Sequence, residues 1–161
     1  MSTIKVGDTI PSAKLTAVSE HGPREITTDE LFGGKTVVLF AVPGAFTPTC
    51  SARHLPGFKD NLAAFKDKDV DAVACLAVND VFVMQAWARD QQVGDGIVMI
   101  ADGSGQFTKS LGLELDLTAR GLGIRSQRYV LIAKDGKIIH IAVEKPGDFD
   151  VSRAEAALAA V

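Results

Sequence analysis

The chain has 161 residues, of which 47% are hydrophobic and 23% charged, and this composition is typical of one globular domain. Its formal net charge of −3 argues against a basic surface for nucleic acid or anionic membranes. The longest apolar stretch, residues 37–45, is far shorter than the roughly 18 residues of a membrane span. Residues 1–8 lack the charged and apolar segments of a secretory signal, and two cysteines are too few for a disulfide scaffold. We therefore expect a single domain over residues 1–161, in the cytoplasm, with reduced thiols.

The first half of the chain predicts a hairpin, a central strand and a long helix. Residues 13–18 and 24–27 predict the two strands of the hairpin, and the continuous apolar run 36–42 predicts a central strand buried on both faces. A threonine followed by a proline at 47–48 predicts a helix N-terminus, and Pro56 predicts a kink in that helix. The apolar stripe of the helix consists of Leu55, Phe58, Leu62 and Phe65.

The second half of the chain continues the alternation of strands and helices and ends with a hairpin and a helix. The glycine- and leucine-rich segment 112–125 is expected to loop over one edge, and Ser152 to cap the last helix. This order predicts an α/β fold of the thioredoxin-like kind, a central mixed β-sheet flanked by helices, with an N-terminal hairpin. The predicted elements are a strand at 70–78, a helix at 80–91, a strand at 96–101, a short helix at 106–111, a hairpin of strands 128–133 and 137–143, and a helix at 152–160.

Cys50 is the candidate catalytic residue, because it falls in the first turn of the helix that follows the central strand. Backbone N–H groups in that turn have no partners within the helix, and the helix dipole there favours negative charge. This setting favours the reactive thiolate, and the hydroxyls of Thr47 and Thr49 are placed to donate to it or to an oxygen substrate. On these features alone, a structural cysteine is as good an interpretation as a reactive one.

The longer string around Cys50 is more specific than its parts. PGAFTPTCS at residues 43–51 resembles the active-site motif of the peroxiredoxins, and in particular of their type II branch. One departure is Val81, where many members of the family have proline. The resemblance extends over nearly the whole chain, through LPGF at 55–58, VND at 78–80, AW at 86–87, ADGSG at 101–105, LGLE at 111–114 and GLGIRS at 121–126.

The resemblance implies a thiol-dependent peroxidase that reduces hydrogen peroxide and alkyl hydroperoxides through a cysteine sulfenic acid, in antioxidant defence and redox homeostasis. It implies that Cys50 is the peroxidatic cysteine, that Thr47 hydrogen-bonds the sulfur and the peroxide, and that Pro43 shields the pocket from water. It maps the arginine of the family onto Arg128, with Arg125 as a nearby competitor. A fixed cation suits this reaction because the departing oxygen becomes negative.

Cys75 lies in the middle of a predicted strand, where a free cysteine usually behaves as a small buried hydrophobe. In the plant and bacterial type II branch, a second cysteine at this spacing is implied as the resolving partner of the first. A disulfide needs Cα atoms within about 7 Å, which we expect Cys50 and Cys75 to meet only after local unfolding. The regenerating thiol is thus either Cys75 or an external thiol such as glutathione, glutaredoxin or thioredoxin. We favour an external thiol assisted by Cys75.

Other functions are weighed against a peroxidase. A Cys–His hydrolase would use His54, four residues after Cys50, but two groups on one helix rarely align as nucleophile and base. A thioredoxin-type reductase would need a second cysteine at position 47. Scattered histidines predict no metal site, and the glycine pairs lack the third glycine of a dinucleotide fingerprint, so no cofactor is expected. A non-catalytic redox-sensing or holdase module is a further alternative.

The resemblance also suggests a homodimer that packs through loops near the active site and the helix after Asn79. Phe46, Phe82 and Trp87 are the candidate interface residues, because a monomer seldom tolerates an exposed apolar patch. Positions in the core are the alternative for all three. We expect no nucleic-acid or membrane partner.

Overall fold

The computed structural model describes residues 3–161, which form a seven-stranded mixed sheet with helices on both faces. The order of the large sheet is β2-β1-β5-β4-β3-β8-β9, and β6 and β7 form a separate two-stranded sheet. The strands are β1 (Lys14–Ser19), β2 (Gly22–Thr27), β3 (Thr36–Val42), β4 (Ala72–Ala77), β5 (Val98–Ala101), β6 (Glu114–Leu117), β7 (Gly123–Ser126), β8 (Tyr129–Lys134) and β9 (Lys137–Val143). The helices are α1 (Thr28–Phe32), α2 (Leu55–Asp60), α3 (Leu62–Asp67), α4 (Val81–Asp90), α5 (Gln106–Ser110) and α6 (Ala154–Ala160).

β3 is an interior strand between β4 and β8, and its apolar run is buried on both faces of the sheet. Its side chains alternate, so that three of them pack under α2, α3, α4 and α6, and three pack against α1 and α5. β4 pairs with β3 in parallel and β8 pairs with it antiparallel, which places Phe40 between Cys75 and Val130. The carboxyl ends of β3 and β4 therefore meet at one edge of the sheet. The segment with Cys50 leaves the sheet at that edge.

The predicted central mixed sheet and N-terminal hairpin are confirmed, but the expected loop over residues 112–125 is wrong. This segment folds as β6, a 3-10 turn over Thr118–Arg120, and β7, with Glu114 opposite Ser126. In β6 the half-buried Leu115 and Leu117 alternate with exposed acidic residues, which is the period of a strand with one covered face. The richness in glycine and leucine hid this alternation.

α1 has no counterpart among the predicted elements. Thr27 caps it, because its hydroxyl accepts from the backbone N–H of Glu30 while the Glu30 carboxylate accepts from the N–H of Thr27. This reciprocal pair is a capping box, which satisfies two N–H groups at the helix start. The Thr-x-x-Glu signal is present in the sequence, but only five residues of helix follow it.

The predicted apolar stripe of the long helix is confirmed, but the helix is broken at Asn61 into α2 and α3. The ring of Phe58 stacks on Phe40 at a centroid distance of 4.1 Å and on Phe65 at 5.6 Å. These rings anchor α2 and α3 to the centre of β3. No helix within the described residues is long and apolar enough to cross a membrane.

Two boundaries differ from the prediction in ways that matter for the site. Arg128 precedes β8 instead of lying within it, so its side chain is at the edge of the sheet. Ser152 is not the N-cap of the last helix, because α6 begins at Ala154 and is preceded by Arg153. Ser152 is instead fully buried, and its hydroxyl donates to the Glu144 carboxylate.

Candidate active site

The helix that carries Cys50 begins as predicted and then widens into a π-helical turn. Helical backbone starts at Pro48, and the π turn spans Cys50–His54, closed by a hydrogen bond from Leu55 N–H to Cys50 O. Pro56 follows after one residue, Leu55. In a regular helix its ring would collide with the carbonyl four residues earlier, and a π turn gives that carbonyl more room. The kink expected at Pro56 therefore takes the form of this turn.

Cys50 is fully buried at the start of the π turn, with two polar groups against its sulfur. Thr47 Oγ1 lies 2.8 Å from Sγ, and Arg128 Nη2 lies 3.1 Å from it. Thr47 and Arg128 also line a cavity together with Pro43. The structure thus brings together all four residues that the sequence predicted for catalysis.

The hydroxyl of Thr47 can serve both protonation states of the thiol. Its oxygen lies 2.6 Å from Gly44 O as well as 2.8 Å from Cys50 Sγ, and a hydroxyl has one proton to donate. When the sulfur is a thiol, the hydroxyl donates to the Gly44 carbonyl and accepts from S–H. When the sulfur is a thiolate, the hydroxyl turns its proton to the sulfur. Thr47 therefore faces the cysteine rather than capping the helix with its side chain.

Arg128 is held against the sulfur by a neutral histidine. Arg128 Nη1 lies 2.8 Å from His54 Nδ1, and His54 Nε2 lies 3.0 Å from Ser152 O. Since a carbonyl only accepts, Nε2 carries the proton and Nδ1 accepts from the guanidinium. Burial, followed by the charge of Arg128, lowers the pKa of His54 from 6.5 to about 3. The guanidinium is thus held by a neutral side chain, and its positive charge lies against the sulfur.

His54 is the functional residue that the sequence analysis placed in a different role. It was weighed as the base of a hydrolase, but both of its ring nitrogens are engaged, by Arg128 and by Ser152. The groups that contact Cys50 Sγ are Thr47 and Arg128, so the geometry does not favour a pair of Cys50 as nucleophile and His54 as base. The spacing of four residues from Cys50 indicates that His54 lies on the same helix face as the cysteine. It does not indicate that His54 binds Arg128.

Arg125, the competing candidate, is engaged elsewhere. Its Nε donates to Leu122 O at 2.8 Å, and a Cβ placed on Gly44 would come within 3.0 Å of its Nη1. The guanidinium therefore lies over the backbone of the loop before the helix. The position next to the sulfur belongs to Arg128.

Asn79 is a second residue that the sequence analysis did not assign to the site. Its Oδ1 accepts from Ala45 N–H at 2.9 Å, which ties the loop after β3 to the loop after β4. Next to Ala45, Phe46 has a φ of 64°, a left-handed conformation that is uncommon for a bulky residue, and its side chain is 51% exposed. Asn79 could have been predicted for the site because it follows β4, whose carboxyl end lies beside that of the parallel strand β3.

A cavity of about 620 Å³ lies beside the cysteine and is lined by its two contacts, Thr47 and Arg128. It runs between the loop after β3, the β6–β7 hairpin and the segment after β9. Its apolar wall is formed by Pro43, Pro48, Leu115, Leu117, Ala119, Leu122 and Pro146. Charged side chains that line it include Arg120, Lys145 and Asp148 in addition to Arg128. A substrate in this cavity therefore meets Thr47 and Arg128, the two residues that contact the buried sulfur.

Cys75 lies in the core of the sheet, on the same face as Cys50. It is fully buried in β4, beside Phe40 and Met99 on the neighbouring strands, and both cysteines are free thiols. Burial, followed by the nearby Cys50, raises the pKa of the Cys75 thiol well above its usual value. Cys75 is therefore a neutral thiol in the folded protein.

Of the three aromatic residues suggested for a dimer interface, one is ruled out. Trp87 is fully buried in the core, and its Nε1–H donates to Ser51 Oγ at 3.0 Å. It therefore packs α4 against the π turn, which is the core alternative. Phe46 and Phe82 are exposed, at 51% and 67%.

Comparison with known proteins agrees with this geometry. The family model Redoxin matches residues 5–158. The chain is 44% identical to Peroxiredoxin-2D of Arabidopsis thaliana and 45% identical to Peroxiredoxin-2C of Oryza sativa subsp. japonica, each over 162 residues that cover all of both chains. The solved structure of reduced Prx3 from Vibrio vulnificus in complex with H₂O₂ is 49% identical, with a TM-score of 0.94 over 98% of this chain and 99% of that one.

These matches confirm the thioredoxin-like fold and the thiol-dependent peroxidase activity that the sequence predicted. They extend over both the motif with Cys50 and the segment with Arg128, and so over every element that forms the site. The chain belongs to the redoxin family and, within it, to the type II peroxiredoxins.

Proposed function

We propose that Cys50 attacks hydrogen peroxide and alkyl hydroperoxides as a thiolate. The observation that carries this proposal is the pair of donors against its sulfur, Thr47 Oγ1 at 2.8 Å and Arg128 Nη2 at 3.1 Å. The sulfur gives an electron pair to one peroxide oxygen, the O–O bond breaks, and a sulfenic acid forms. The other oxygen leaves as hydroxide or alkoxide and takes up a proton to become water or alcohol. The sulfur is oxidised by two electrons and the peroxide is reduced by two.

Arg128 stabilises the charge as it moves from the sulfur to the departing oxygen. Two of its N–H groups are directed at Cys50 Sγ and His54 Nδ1, and a guanidinium has further N–H groups that can bond the peroxide. Because the neutral His54 holds it, no rearrangement is needed when negative charge appears on the departing oxygen. Thr47 contributes a donor to the thiolate or to the peroxide, and Pro43, which lines the cavity, shields the sulfur from water in this proposal.

The cavity supports alkyl hydroperoxides as substrates beside hydrogen peroxide. Its volume of about 620 Å³ exceeds what hydrogen peroxide needs, and its apolar residues offer a surface for a hydrocarbon chain. Hydrogen peroxide itself is supported by the complex of reduced Prx3 from Vibrio vulnificus with H₂O₂. The biological role that follows is antioxidant defence and redox homeostasis.

In this proposal an external thiol, from glutathione, glutaredoxin or thioredoxin, attacks the sulfenic sulfur and releases water. A second thiol then displaces Cys50 from the mixed disulfide and restores its thiol. The cavity beside Cys50 is open to such a thiol, whereas Cys75 is fully buried in the middle of β4 with a raised pKa. A neutral buried thiol is a poor nucleophile, because the thiolate is the attacking form. Direct resolution by Cys75 would require the first helical turn to unfold.

Intact mass after one equivalent of hydrogen peroxide tests both parts of the proposal. The reduced wild-type protein and Cys75→Ser are each expected to gain about one oxygen, and Cys50→Ser to keep its mass and leave the peroxide unconsumed. A loss of about two hydrogens in the wild type alone would show an internal disulfide and refute the external route. Peroxide consumption by Cys50→Ser equal to that of the wild type would refute the role of Cys50.

We also propose a homodimer that forms through the exposed Phe46 and Phe82. Phe46 follows Ala45, whose N–H is bonded to Asn79, and Phe82 lies three residues after Asn79 at the start of α4, so both exposed rings are at this end of the sheet. Isolated monomers seldom leave a large apolar patch uncovered, which supports this surface. Phe46→Ser with Phe82→Ser is expected to shift the protein from a dimer to a monomer in analytical ultracentrifugation. A wild-type protein that sediments as a monomer at micromolar concentration would refute the proposal.

A cytoplasmic location is proposed as well, supported by the two free thiols in a chain without a disulfide. Fractionation of cells that express the tagged chain tests it. Recovery of the protein in an oxidising compartment would contradict it.

A further inference from the structure

The segment between β9 and α6, residues 144–152, forms a strap that the reaction above does not use. Its anchor is the buried carboxylate of Glu144, whose Oε2 accepts from Asp150 N–H at 2.6 Å, Ser152 N–H at 2.9 Å and Ser152 Oγ–H at 2.7 Å. Burial alone would raise the pKa of Glu144, but the hydrogen bonds from Ser152 and Asp150 outweigh it, so that the pKa lies below its usual value. The strap is thus pinned by an ionised carboxylate.

The pinned strap is connected to Cys50 by an unbroken series of hydrogen bonds. Ser152 O accepts from His54 Nε2 at 3.0 Å, which leaves His54 Nδ1 to accept from Arg128 Nη1 at 2.8 Å. Arg128 Nη2 then donates to Cys50 Sγ at 3.1 Å. A backbone hydrogen bond also joins Glu144 to Arg128 directly, because Glu144 N–H donates to Arg128 O at 2.9 Å. Each group in the series is fixed by the one before it.

Phe149, within the strap, packs against the same cluster. Its ring meets the His54 ring edge-on at a centroid distance of 5.1 Å, and the Cζ atoms of Arg53 and Arg128 lie 4.8 Å and 5.9 Å from its centroid. Both cations are within the roughly 6 Å at which a ring face attracts a guanidinium. Arg53 is the nearer cation but is exposed, so the contact that bears on the sulfur is the one through His54 and Arg128.

We propose that Glu144, Ser152 and Phe149 are positioning residues that hold the Arg128 guanidinium against Cys50 by way of His54. An arginine side chain has several rotatable bonds, and without these contacts its guanidinium would spend less time at the sulfur. The strap selects the His54 tautomer that accepts from Arg128 and restricts the guanidinium to one position. This inference rests on the proposed function of Arg128 in peroxide reduction.

The test is the second-order rate constant of the reduced protein with hydrogen peroxide. Glu144→Ala is expected to lower it about tenfold or more, because a displaced catalytic group loses rate steeply with distance. Glu144→Gln keeps an oxygen that can accept from the strap and is expected to stay within about threefold of the wild type. Asp150→Ala is the matched control, since it removes an exposed carboxylate of the same strap. It is expected to change the rate constant by about twofold at most. Equal rates for Glu144→Ala and Asp150→Ala would overturn the proposal.

A double variant tests whether the strap acts through Arg128. In an Arg128→Met background, Glu144→Ala is expected to cause no further loss of rate, because the group that it positions is already absent. A further tenfold loss in that background would overturn the proposal.

If circular dichroism shows that Glu144→Ala does not fold, the comparison is made with Phe149→Leu. Phe149→Leu should lower the rate about threefold or more while Phe149→Tyr keeps it, because tyrosine also offers a ring face. Equal rates for these two variants would overturn the proposal.

A measurement that needs no peroxide separates this inference from the proposed function. In ¹⁵N-edited NMR spectra, the Nε2–H proton of His54 is expected to exchange slowly with water in the wild type and in Asp150→Ala, and rapidly in Glu144→Ala. Slow exchange in Glu144→Ala would overturn the role of the strap whatever the activity. A wild-type protein that does not consume peroxide but shows this exchange pattern would refute the proposed function and leave the strap supported.

Discussion

Mild acid is expected to destabilise the protein through His54. The ring is fully buried, with Nε2 bonded to Ser152 O at 3.0 Å and Nδ1 accepting from Arg128 at 2.8 Å. A proton added at Nδ1 would point at the guanidinium and remove the only acceptor that the ring offers it. Burial and the charge of Arg128 accordingly lower the pKa of His54 from 6.5 to about 3. In the unfolded chain the same ring takes up its proton near pH 6.5.

The size of the effect follows from these two pKa values. Between pH 6.5 and about 3 the unfolded chain binds one proton more than the folded chain, so the free energy of unfolding decreases as the pH falls. Each pH unit in this window is worth about 1.4 kcal/mol, and the change from pH 7 to pH 5 is worth about 2 kcal/mol. This is a large part of the roughly 5–15 kcal/mol that stabilises a typical domain.

Urea unfolding at pH 7 and pH 5, at one protein concentration, measures this loss. In His54→Gln the loss between the two pH values is expected to shrink by about 2 kcal/mol relative to the wild type, because no imidazole is left to titrate. His21→Gln is the control, since it removes an exposed histidine. The reasoning is refuted if His54→Gln and the wild type lose the same free energy of unfolding over this pH range.

Three further outcomes are expected. Thr47→Val, which keeps the shape but removes the hydroxyl at 2.8 Å from Cys50 Sγ, should lower the peroxide rate constant about 10²-fold, and a Thr47→Ser variant that is equally slow would contradict this. Gly44→Ala should lower the same rate constant about tenfold, because the new Cβ lies 3.1 Å from Thr47 Cγ2, whereas Gly57→Ala, whose Cβ meets nothing nearer than 3.9 Å, should not. Phe58→Ala should lower the free energy of urea unfolding by about 3–5 kcal/mol, since its buried ring stacks on Phe40 at 4.1 Å, and a loss of about 1 kcal/mol would show that the core closes around the gap.

The elements that the sequence predicted well are those whose signal is local. The run in β3 and the stripe on α2 and α3 depend on apolar spacing alone, and both are found where expected. The motif around Cys50 also predicted its neighbours, since Thr47 lies on the same turn. The β6–β7 hairpin was missed because its alternation covers only four residues per strand.

The parts of the site that were missed depend on contacts between distant segments. His54 and Arg128 are 74 residues apart, and His54 and Ser152 are 98 apart, so no spacing in the sequence relates them. The sequence leaves both an interface and the core open for Trp87, because its apolar ring alone does not show whether α4 turns it inward. The hydrogen bond from its Nε1 to Ser51 Oγ is what fixes it in the core.

The π turn over Cys50–His54 also takes up one extra residue without changing the direction of the catalytic thiol. Such a turn contains one residue more than a regular helix needs to span the same hydrogen bond. A regular helix closes its hydrogen bond over four residues and the π turn closes its own over five, in each case after slightly more than one full turn. Removing the exposed Ala52 would therefore leave Cys50 and the core-facing Leu55 in nearly the same relative direction, and the sulfur would still face Arg128. What would change is the fit around Pro56, whose ring would then meet a regular helix. The helix can therefore carry this proline and keep the register between the catalytic thiol and the core.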